Sequence, residues 1–247
     1  MKIDYDQIAH RYDKCRGGDG PYLPVLLRLA RASDARRVVE IGPGTGNNTE
    51  PFLTAHPCEL IGVELSRGMI EQARAKGIAA RWVRGSASAL PLRSASTDFV
   101  FAVYVLHHVP DLDQMFAECF RVLHSGYAAF VTASTEFIER HPMNHYFPSF
   151  AAIDKARFQP LDAVAEALGR AGFTDVSTER LVAPPRPIDR IYADSVANRF
   201  VSTYDLLPRD EFKAGLARLY ADIEADRQPE KTIAWESAVV SGRKGNA

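Results

Sequence analysis

The sequence predicts an α/β fold built on a mostly parallel sheet with helices on both faces. Apolar or β-branched runs of strand length alternate along the chain with segments of helical periodicity. A glycine-rich segment follows the first of these runs, where a strand turns into a helix. Parallel strands need long crossover connections, so this alternation favours a sheet that helices cover on both sides.

The first two strand and helix units are the clearest. Residues 37–41 (RVVEI) form a β-branched run that stops at GPGTGNNT, and a helix is expected over residues 50–55. Residues 59–65 (ELIGVEL) form the second run, which leads into a helix over residues 67–76 that ends before a glycine.

Later segments continue the pattern. Further strands are expected over residues 81–83, 98–106, 127–132, 175–182 and 232–240. Within the strand expected over residues 98–106, residues 99–106 are continuously apolar, which is typical of a strand buried on both faces. Helices are expected after Pro110 and over residues 160–170, and residues 134–159 are interpreted as a long connection.

The chain is interpreted as one domain, because 247 residues are compatible with a single α/β unit. The pattern changes at the turn-forming sequence PPRP, after which helical stretches precede the last strand. The expected parts are an N-terminal helical cap (residues 1–33), a core (34–183), a helical insertion or lid (184–230) and a final strand with its tail (231–247).

Composition and charge argue against several classes of protein. With 30 basic and 31 acidic residues and no basic block, no broad nucleic-acid-binding face is expected. The longest apolar run is far shorter than the roughly 20 residues of a membrane span, and the first residues lack a secretory signal. Cys15, Cys58 and Cys119 form no CxxC pair. A cytoplasmic protein without a disulfide framework or a metal site is expected.

The glycine-rich loop predicts a nucleotide-type site. Gly42, Gly44 and Gly46 let a ligand approach the backbone amides closely. Glu64 lies roughly twenty residues further on, at the end of the next strand, where a carboxylate can accept hydrogen bonds from both ribose hydroxyls. The combination is a stronger signal than either part.

The spacing does not fit a nicotinamide dinucleotide. The fingerprint G-x-G-x-x-G would need its last glycine at Asn47, whereas the third glycine comes one residue earlier, at Gly46. Glu40, two residues before the first glycine, would also add negative charge near a diphosphate. The site is better suited to a ligand that carries an ammonium group.

Over most of residues 1–183 the sequence resembles the class I S-adenosylmethionine-dependent methyltransferases, in particular those that act on small molecules. The motifs agree in order and spacing: YDQIAHRYD, VVEIGPGTG, GVELSRGMIEQAR, RGSASALPL, TDFVFAVYVLHHVPD and ECFRVLHSG. This resemblance implies a Rossmann-like, seven-stranded sheet, S-adenosyl-L-methionine as cofactor and S-adenosyl-L-homocysteine as product.

The resemblance also implies a set of cofactor-binding residues. The glycine loop would surround the methionine portion, Glu64 would hold the ribose, and Leu65 and Met69 would pack on the adenine. The full set is Tyr12, Glu40, Gly42, Gly44, Gly46, Glu64, Leu65, Met69, Ser86, Ala87, Ala102, Val103 and Tyr104. Ser86 stands where the family commonly has an acidic residue, although its hydroxyl oxygen can accept a hydrogen bond from the adenine amino group. For Met69 taken alone, core packing is the favoured interpretation.

Four histidines are candidate catalytic residues. His107 and His108 follow the buried strand at the edge where open α/β sheets bind ligands, although helix-start or packing roles explain them as well. His141 and His145 lie in the long connection. Their spacing would allow a metal site, but no cysteine or carboxylate pattern completes one.

The predicted reaction is an in-line methyl transfer to a small organic acceptor, in which holding the acceptor close supplies most of the acceleration. A general base is needed only when the acceptor must lose a proton. Tyr146, Phe147 and Phe150 are candidates to line an apolar acceptor site, or they simply pack in the core. Two alternatives are a cofactor-binding subunit or regulator without activity and an NAD-dependent oxidoreductase; the loop spacing disfavours the latter.

Overall fold

The computed structural model describes residues 5, 6, 9 and 20–245, and within them it contains a seven-stranded, mostly parallel sheet. The strand order is β3-β2-β1-β4-β5-β9-β6, in which β9 is antiparallel to both β5 and β6. The strands are β1 (Arg37–Ile41), β2 (Glu59–Glu64), β3 (Arg81–Arg84), β4 (Phe99–Val103), β5 (Gly126–Thr132), β6 (Thr174–Val182) and β9 (Glu236–Lys244). The predicted α/β, Rossmann-like fold class is confirmed.

The helices connect the strands and build a second layer at one end. They are α1 (Leu23–Ala32), α2 (Thr49–Ala55), α3 (Arg67–Ala75), α4 (Leu112–Val122), α5 (Thr135–Arg140), α6 (Phe150–Lys155), α7 (Leu161–Arg170), α8 (Arg190–Ala197), α9 (Thr203–Leu206) and α10 (Arg209–Glu224). Two 3₁₀ turns span Leu106–His108 and Pro142–His145. A small ribbon of β7 (Arg186–Pro187) and β8 (Thr232–Ile233) brackets α8, α9 and α10.

Two hydrophobic cores lie on the two faces of the sheet. On one face, α4 and α7 bury Phe116 and Leu168 against the central strands. On the other face, α1 and α2 cover β1 and β4, where Phe52 stacks on Phe101 with their ring centroids 4.8 Å apart. The alternation of side chains along β1 and β4 sends neighbouring apolar residues into opposite cores.

The third core belongs to the helical layer beyond the carboxyl ends of the strands. It is formed by residues 133–158 and 188–235, which we call the aromatic cap. Its buried aromatic side chains are Phe137, Tyr146, Phe147, Phe150, Phe158, Tyr204 and Phe212. The residues predicted to line an apolar acceptor site, Tyr146, Phe147 and Phe150, are therefore buried in this cluster.

Two expected strands have different bounds. The strand expected over residues 98–106 ends at Val103, because Tyr104 adopts a left-handed conformation with φ of +54° and breaks the extended run. The strand expected over residues 232–240 is divided into β8 and β9, because the chain changes pairing partners between them, from β7 to β5.

The long connection expected over residues 134–159 contains two short helices, α5 and α6, and a 3₁₀ turn. Ser134 caps α5 by accepting a hydrogen bond from the Phe137 backbone N–H at 3.1 Å. Pro142 follows α5 closely and begins the 3₁₀ turn. Such short elements give weak periodic signals, so the sequence pattern suggested a loop.

Some sequence-based expectations fall on residues that the structure does not describe. Tyr12 and Cys15 lie outside the described residues, whereas Cys58 and Cys119 are free thiols. The expected boundaries of the N-terminal helical cap, the core and the helical insertion stay predictions. In the described part of the chain, no helix is both long and apolar enough to cross a membrane.

Candidate functional site

The centre of the site is the point in the sheet where the strand order reverses. β1 pairs with β2 on one side and with β4 on the other, so the loops after β1 and β4 leave in different directions. The two loops touch there: a Cβ on Gly42 would lie 2.5 Å from Cγ2 of Val105. Open α/β sheets bind ligands at this kind of crevice.

The backbone of the glycine loop explains its composition. Gly42, Gly44 and Gly46 have φ of +62°, +58° and +83°, values that side-chain-bearing residues rarely adopt. A Cβ on Gly46 would also lie 2.6 Å from Cδ1 of Ile78. The Gly42 N–H donates a 2.8 Å hydrogen bond to the Val63 carbonyl of β2, which fixes the start of the loop.

Glu64 lies beside this loop at the end of β2. Its Oε2 accepts a 3.0 Å hydrogen bond from the Gly44 N–H, and its Oε1 accepts one of 2.8 Å from the Ser66 N–H. Each carboxylate oxygen has a second lone pair, so the group still has capacity for ligand hydroxyls. The structure thus joins Glu64 to the glycine loop, as the sequence interpretation required.

Glu40 is a buried carboxyl group in β1. Thr49, the first residue of α2, donates a 2.5 Å hydrogen bond from Oγ1 to Glu40 Oε2. Glu40 Oε1 is buried and has no hydrogen-bond partner among the described residues. Burial raises the pKa of Glu40 to about 8; the Thr49 hydrogen bond opposes this shift and the nearby charge of Glu64 adds to it.

Residues of the N-terminal segment contact the same edge of the sheet. Asp6 accepts hydrogen bonds at Oδ1 from Ser66 Oγ (2.6 Å) and from the Gly68 N–H (2.8 Å), at the start of α3. These hydrogen bonds hold the pKa of Asp6 below its usual value. The Tyr5 hydroxyl shares a 2.7 Å hydrogen bond with His108 Nε2. The segment therefore bridges the loops after β2 and β4.

The remaining candidate cofactor-binding residues differ in exposure. Leu65 exposes 59% of its surface, whereas Met69 is buried at the start of α3. Ser86 is exposed and Ala87 partly buried in the turn after β3. Ala102 and Val103 are buried in β4. The low exposure of Met69 and Ala102 is compatible with packing against a ligand and with packing in the core.

Tyr104 connects the glycine-loop side to the aromatic cap. Its hydroxyl accepts a 3.0 Å hydrogen bond from Trp235 Nε1 and shares one of 2.7 Å with the Ser237 hydroxyl. Trp235 precedes β9 and Ser237 lies within it, so both come to the carboxyl edge of β5 through antiparallel pairing. These hydrogen bonds therefore connect the end of β4 to the start of β9.

The four candidate histidines occupy different environments. His107 stacks on Phe158 with the ring centroids 4.2 Å apart, and His108 bonds to Tyr5. His145 is exposed beside the Arg218 guanidinium. Among the residues that the structure describes, no three histidines, cysteines or carboxylates are grouped in a way that would hold a metal ion.

His141 is the buried member of the four. Its ring stacks on Phe150 at 5.0 Å and meets the edges of Phe137 and Trp235 at 5.3 and 5.4 Å. The Met143 N–H donates a 3.2 Å hydrogen bond to His141 Nδ1, whereas Nε2 has no partner among the described residues. Burial lowers the pKa of His141 to about 3, so the imidazole is neutral at physiological pH.

Sequence reasoning missed several contacts that build this site. Asp6 and Thr49 gave no motif signal for their hydrogen bonds to α3 and Glu40. Trp235 and Ser237 looked like ordinary strand residues more than 130 positions from Tyr104. No local pattern connects residues so far apart. The one signal at hand was the interruption of the apolar alternation near residue 235.

Comparisons with known proteins agree with this geometry. Residues 39–131 match the family model described as a methyltransferase domain. The chain is 31% identical over 125 residues to malonyl-[acyl-carrier protein] O-methyltransferase of Hahella chejuensis, covering 49% of this chain and 45% of that relative. It is 23% identical over 202 residues to demethylmenaquinone methyltransferase of Renibacterium salmoninarum, covering 72% and 85%. The chain thus spans less than half the length of the Hahella chejuensis relative.

A solved structure shares the fold across most of both chains. It is described as a methyltransferase from an antibiotic biosynthesis pathway of Anabaena variabilis, and it aligns with a TM-score of 0.74 at 22% identity. The alignment covers 88% of this chain and 95% of the other. At this identity the likeness concerns the fold, so the activity must be argued from the site.

Proposed function

Since the chain carries a methyltransferase domain of the class I S-adenosylmethionine-dependent family, we propose that it transfers a methyl group from S-adenosyl-L-methionine to a small organic acceptor. The observation that carries the proposal is the unpartnered Oε1 of buried Glu40, one strand away from Glu64. A buried carboxyl group without a partner calls for a cationic or hydrogen-bonding ligand. The cofactor has an ammonium group and a ribose, which match the two carboxyl groups.

The residues present fit that cofactor. Gly42 and Gly46 approach Val105 and Ile78 so closely that no larger residue fits without displacement, so the loop keeps its tight course beside Glu64. Glu40 would bind the ammonium group and Glu64 the ribose hydroxyls. The bound cofactor supplies an activated methyl group on a sulfonium centre, so the protein need not generate the leaving group.

The remaining work of the protein is to hold the acceptor in line and to exclude water. The aromatic cap lies beyond the end of β4 and supplies the apolar surroundings for that purpose. His107 and His108 follow β4 directly and are the candidates for taking a proton from an acceptor that must lose one. With a pKa of about 3, His141 is too weak a base for that role at neutral pH.

Calorimetric titration tests the cofactor part of the proposal. We expect S-adenosyl-L-homocysteine to bind and NAD not to bind. Glu64→Ala should weaken the binding of S-adenosyl-L-homocysteine by roughly 1.5–3 kcal/mol, because hydrogen bonds to a charged group are lost. Glu59→Ala, at the exposed opposite end of β2, is the matched control and should bind like the wild type.

Each outcome has a definite meaning. Unchanged affinity in Glu64→Ala would refute the position of the ribose, and binding of NAD alone would refute the cofactor. Methyl-labelled S-adenosyl-L-methionine with a panel of small acceptors then tests transfer itself. Tight cofactor binding without transfer to any acceptor would favour a binding subunit or regulator.

A further inference from the structure

The inference concerns the methyl acceptor and rests on the proposed function. We infer that the acceptor is an uncharged, largely apolar molecule whose oxygen atom accepts a hydrogen bond from His141 Nε2–H inside the aromatic cap. His141 then acts as a positioning and specificity-determining residue.

The hydrogen bond at Nδ1 determines which ring nitrogen carries the proton. The Met143 N–H donates to Nδ1, so Nδ1 is an acceptor and has no proton. In the neutral imidazole the proton then lies on Nε2. His141 exposes only 3% of its surface, and Nε2 has no partner among the described residues. A buried donor without an acceptor is unfavourable, so binding of a ligand that supplies an acceptor is favoured.

The rings around His141 exclude water and charge. Phe150 lies along one face of the imidazole, while Phe137 and Trp235 meet it edge to face. These three side chains come from α6, α5 and the residue before β9. Surroundings of this kind favour an apolar molecule and strengthen each hydrogen bond formed within them.

A short chain of contacts connects His141 to the glycine loop. His141 meets Trp235, and Trp235 donates a hydrogen bond to the hydroxyl of Tyr104. The residue after Tyr104 is Val105, whose side chain borders Gly42. Three residues, Trp235, Tyr104 and Val105, thus separate His141 from the loop that would hold the methionine portion, which places His141 where an acceptor would lie.

The charged groups inside the cap are already neutralised by protein partners. Apart from His141, Asp154 is the only buried acidic or basic side chain of the cap within the described residues; Arg157 and Thr203 both donate hydrogen bonds to it. Arg199 lies over the Phe212 ring at 4.0 Å and is ion-paired with Asp205. A charged acceptor would lose its hydration without gaining a counter-ion, which disfavours ammonium, carboxylate and phosphate compounds.

Three probes of similar size test the inference: uncharged 2-naphthol, anionic 2-naphthoate and cationic 2-naphthylmethylammonium. Each is titrated calorimetrically into protein saturated with S-adenosyl-L-homocysteine. We expect 2-naphthol to bind at least 10-fold more tightly than either charged probe. His141→Phe keeps a stacked ring but lacks the donor, and it should lose 5- to 20-fold in affinity for 2-naphthol. His124→Phe, at an exposed histidine beside the start of β5, is the control and should change nothing.

Any of four results would overturn the inference: tightest binding of the cationic probe, tightest binding of the anionic probe, no binding of 2-naphthol, or an affinity for 2-naphthol in His141→Phe equal to that of the wild type. A measurement on the wild type covers the case in which His141→Phe does not fold. In ¹⁵N-histidine spectra, the Nε2–H signal of His141 should shift when 2-naphthol is added, and an unmoved signal would contradict the assignment. Failure to bind S-adenosyl-L-homocysteine would instead refute the proposed function.

Discussion

The glycine loop and the aromatic cap are connected through Tyr104 and Val105, but the two regions differ in their chemistry. Two carboxyl groups, Glu40 and Glu64, lie at the glycine loop, and they come from residues within 25 positions of each other. The cap uses aromatic rings and a neutral imidazole from segments nearly 100 positions apart. Under the proposed function, the glycine loop would select the charged groups of the cofactor and the aromatic cap an uncharged acceptor.

The largest expected effect concerns the close approach in the glycine loop. Gly42→Ala would place a Cβ 2.5 Å from Val105 at a φ of +62°. We expect a loss of roughly 2–5 kcal/mol in the free energy of unfolding, from overpacking and left-handed strain together. Gly77→Ala is the control: its φ is +70° but no atom lies within 4 Å of the new Cβ.

Denaturant unfolding measures both variants. Gly77→Ala should lose only about 1–2 kcal/mol, because strain alone acts there. Equal losses in the two variants would mean that the contact with Val105 contributes nothing and that the loops after β1 and β4 are not packed together.

The second prediction compares how two buried groups, His141 in the aromatic cap and Glu40 beside the glycine loop, make the free energy of unfolding depend on pH in opposite directions. The pKa of His141 falls from 6.5 to about 3 on folding, so its contribution to stability is complete above pH 6.5 and is lost as the pH falls. The pKa of Glu40 rises from 4.5 to about 8, so its contribution is complete below pH 4.5 and is lost as the pH rises. Between pH 4.5 and 6.5 the two effects oppose each other.

Single substitutions should therefore separate them. Relative to the wild type, His141→Phe should lose stability with rising pH in this window and Glu40→Gln should gain it, each by up to about 1.4 kcal/mol per pH unit. Denaturant unfolding at pH 4.5, 5.5 and 6.5 measures the slopes. Slopes of the same sign would show that one of the two groups is not buried as described.

The third prediction compares two helical glycines. In α10, a Cβ on Gly215 would lie 2.5 Å from both the Tyr146 carbonyl oxygen and the Phe147 ring. We expect Gly215→Ala to destabilise the cap by roughly 1–3 kcal/mol through overpacking. Gly169→Ala in α7 meets no atom within 4 Å and should stabilise by about 0.5–1 kcal/mol through helix propensity. A stabilising Gly215→Ala would mean that α10 does not pack closely on the cap.

The smallest effect is a proton released on cofactor binding. Glu40, with a pKa of about 8, is mostly protonated at pH 7, and an ammonium group beside it would lower that pKa. Binding of S-adenosyl-L-homocysteine should then release up to about one proton. Calorimetry in phosphate and Tris buffers measures this, because the apparent enthalpy follows the ionisation enthalpy of the buffer. The difference should vanish in Glu40→Gln.

The sequence by itself determined the strand and loop framework of the cofactor side. GPGTG after a β-branched strand requires positive φ at its glycines, and the acidic residue at the end of the next strand falls beside that loop in any parallel βαβ unit. These relations are local, so periodicity and spacing carry them. The mostly parallel sheet was predicted in the same way from the alternation of strands and helices, whereas the strand order came from the structure.

Only the tertiary structure decided the arrangement of the aromatic cap and its connection to β4. Tyr104 leaves the strand because of its left-handed backbone, and Trp235 and Ser237 reach its hydroxyl through pairing of β9 with β5. His141 and His145 look alike in sequence, yet one is buried among rings and the other is exposed beside Arg218. Burial, protonation and the pairing of charges depend on contacts between distant segments, which local sequence does not encode.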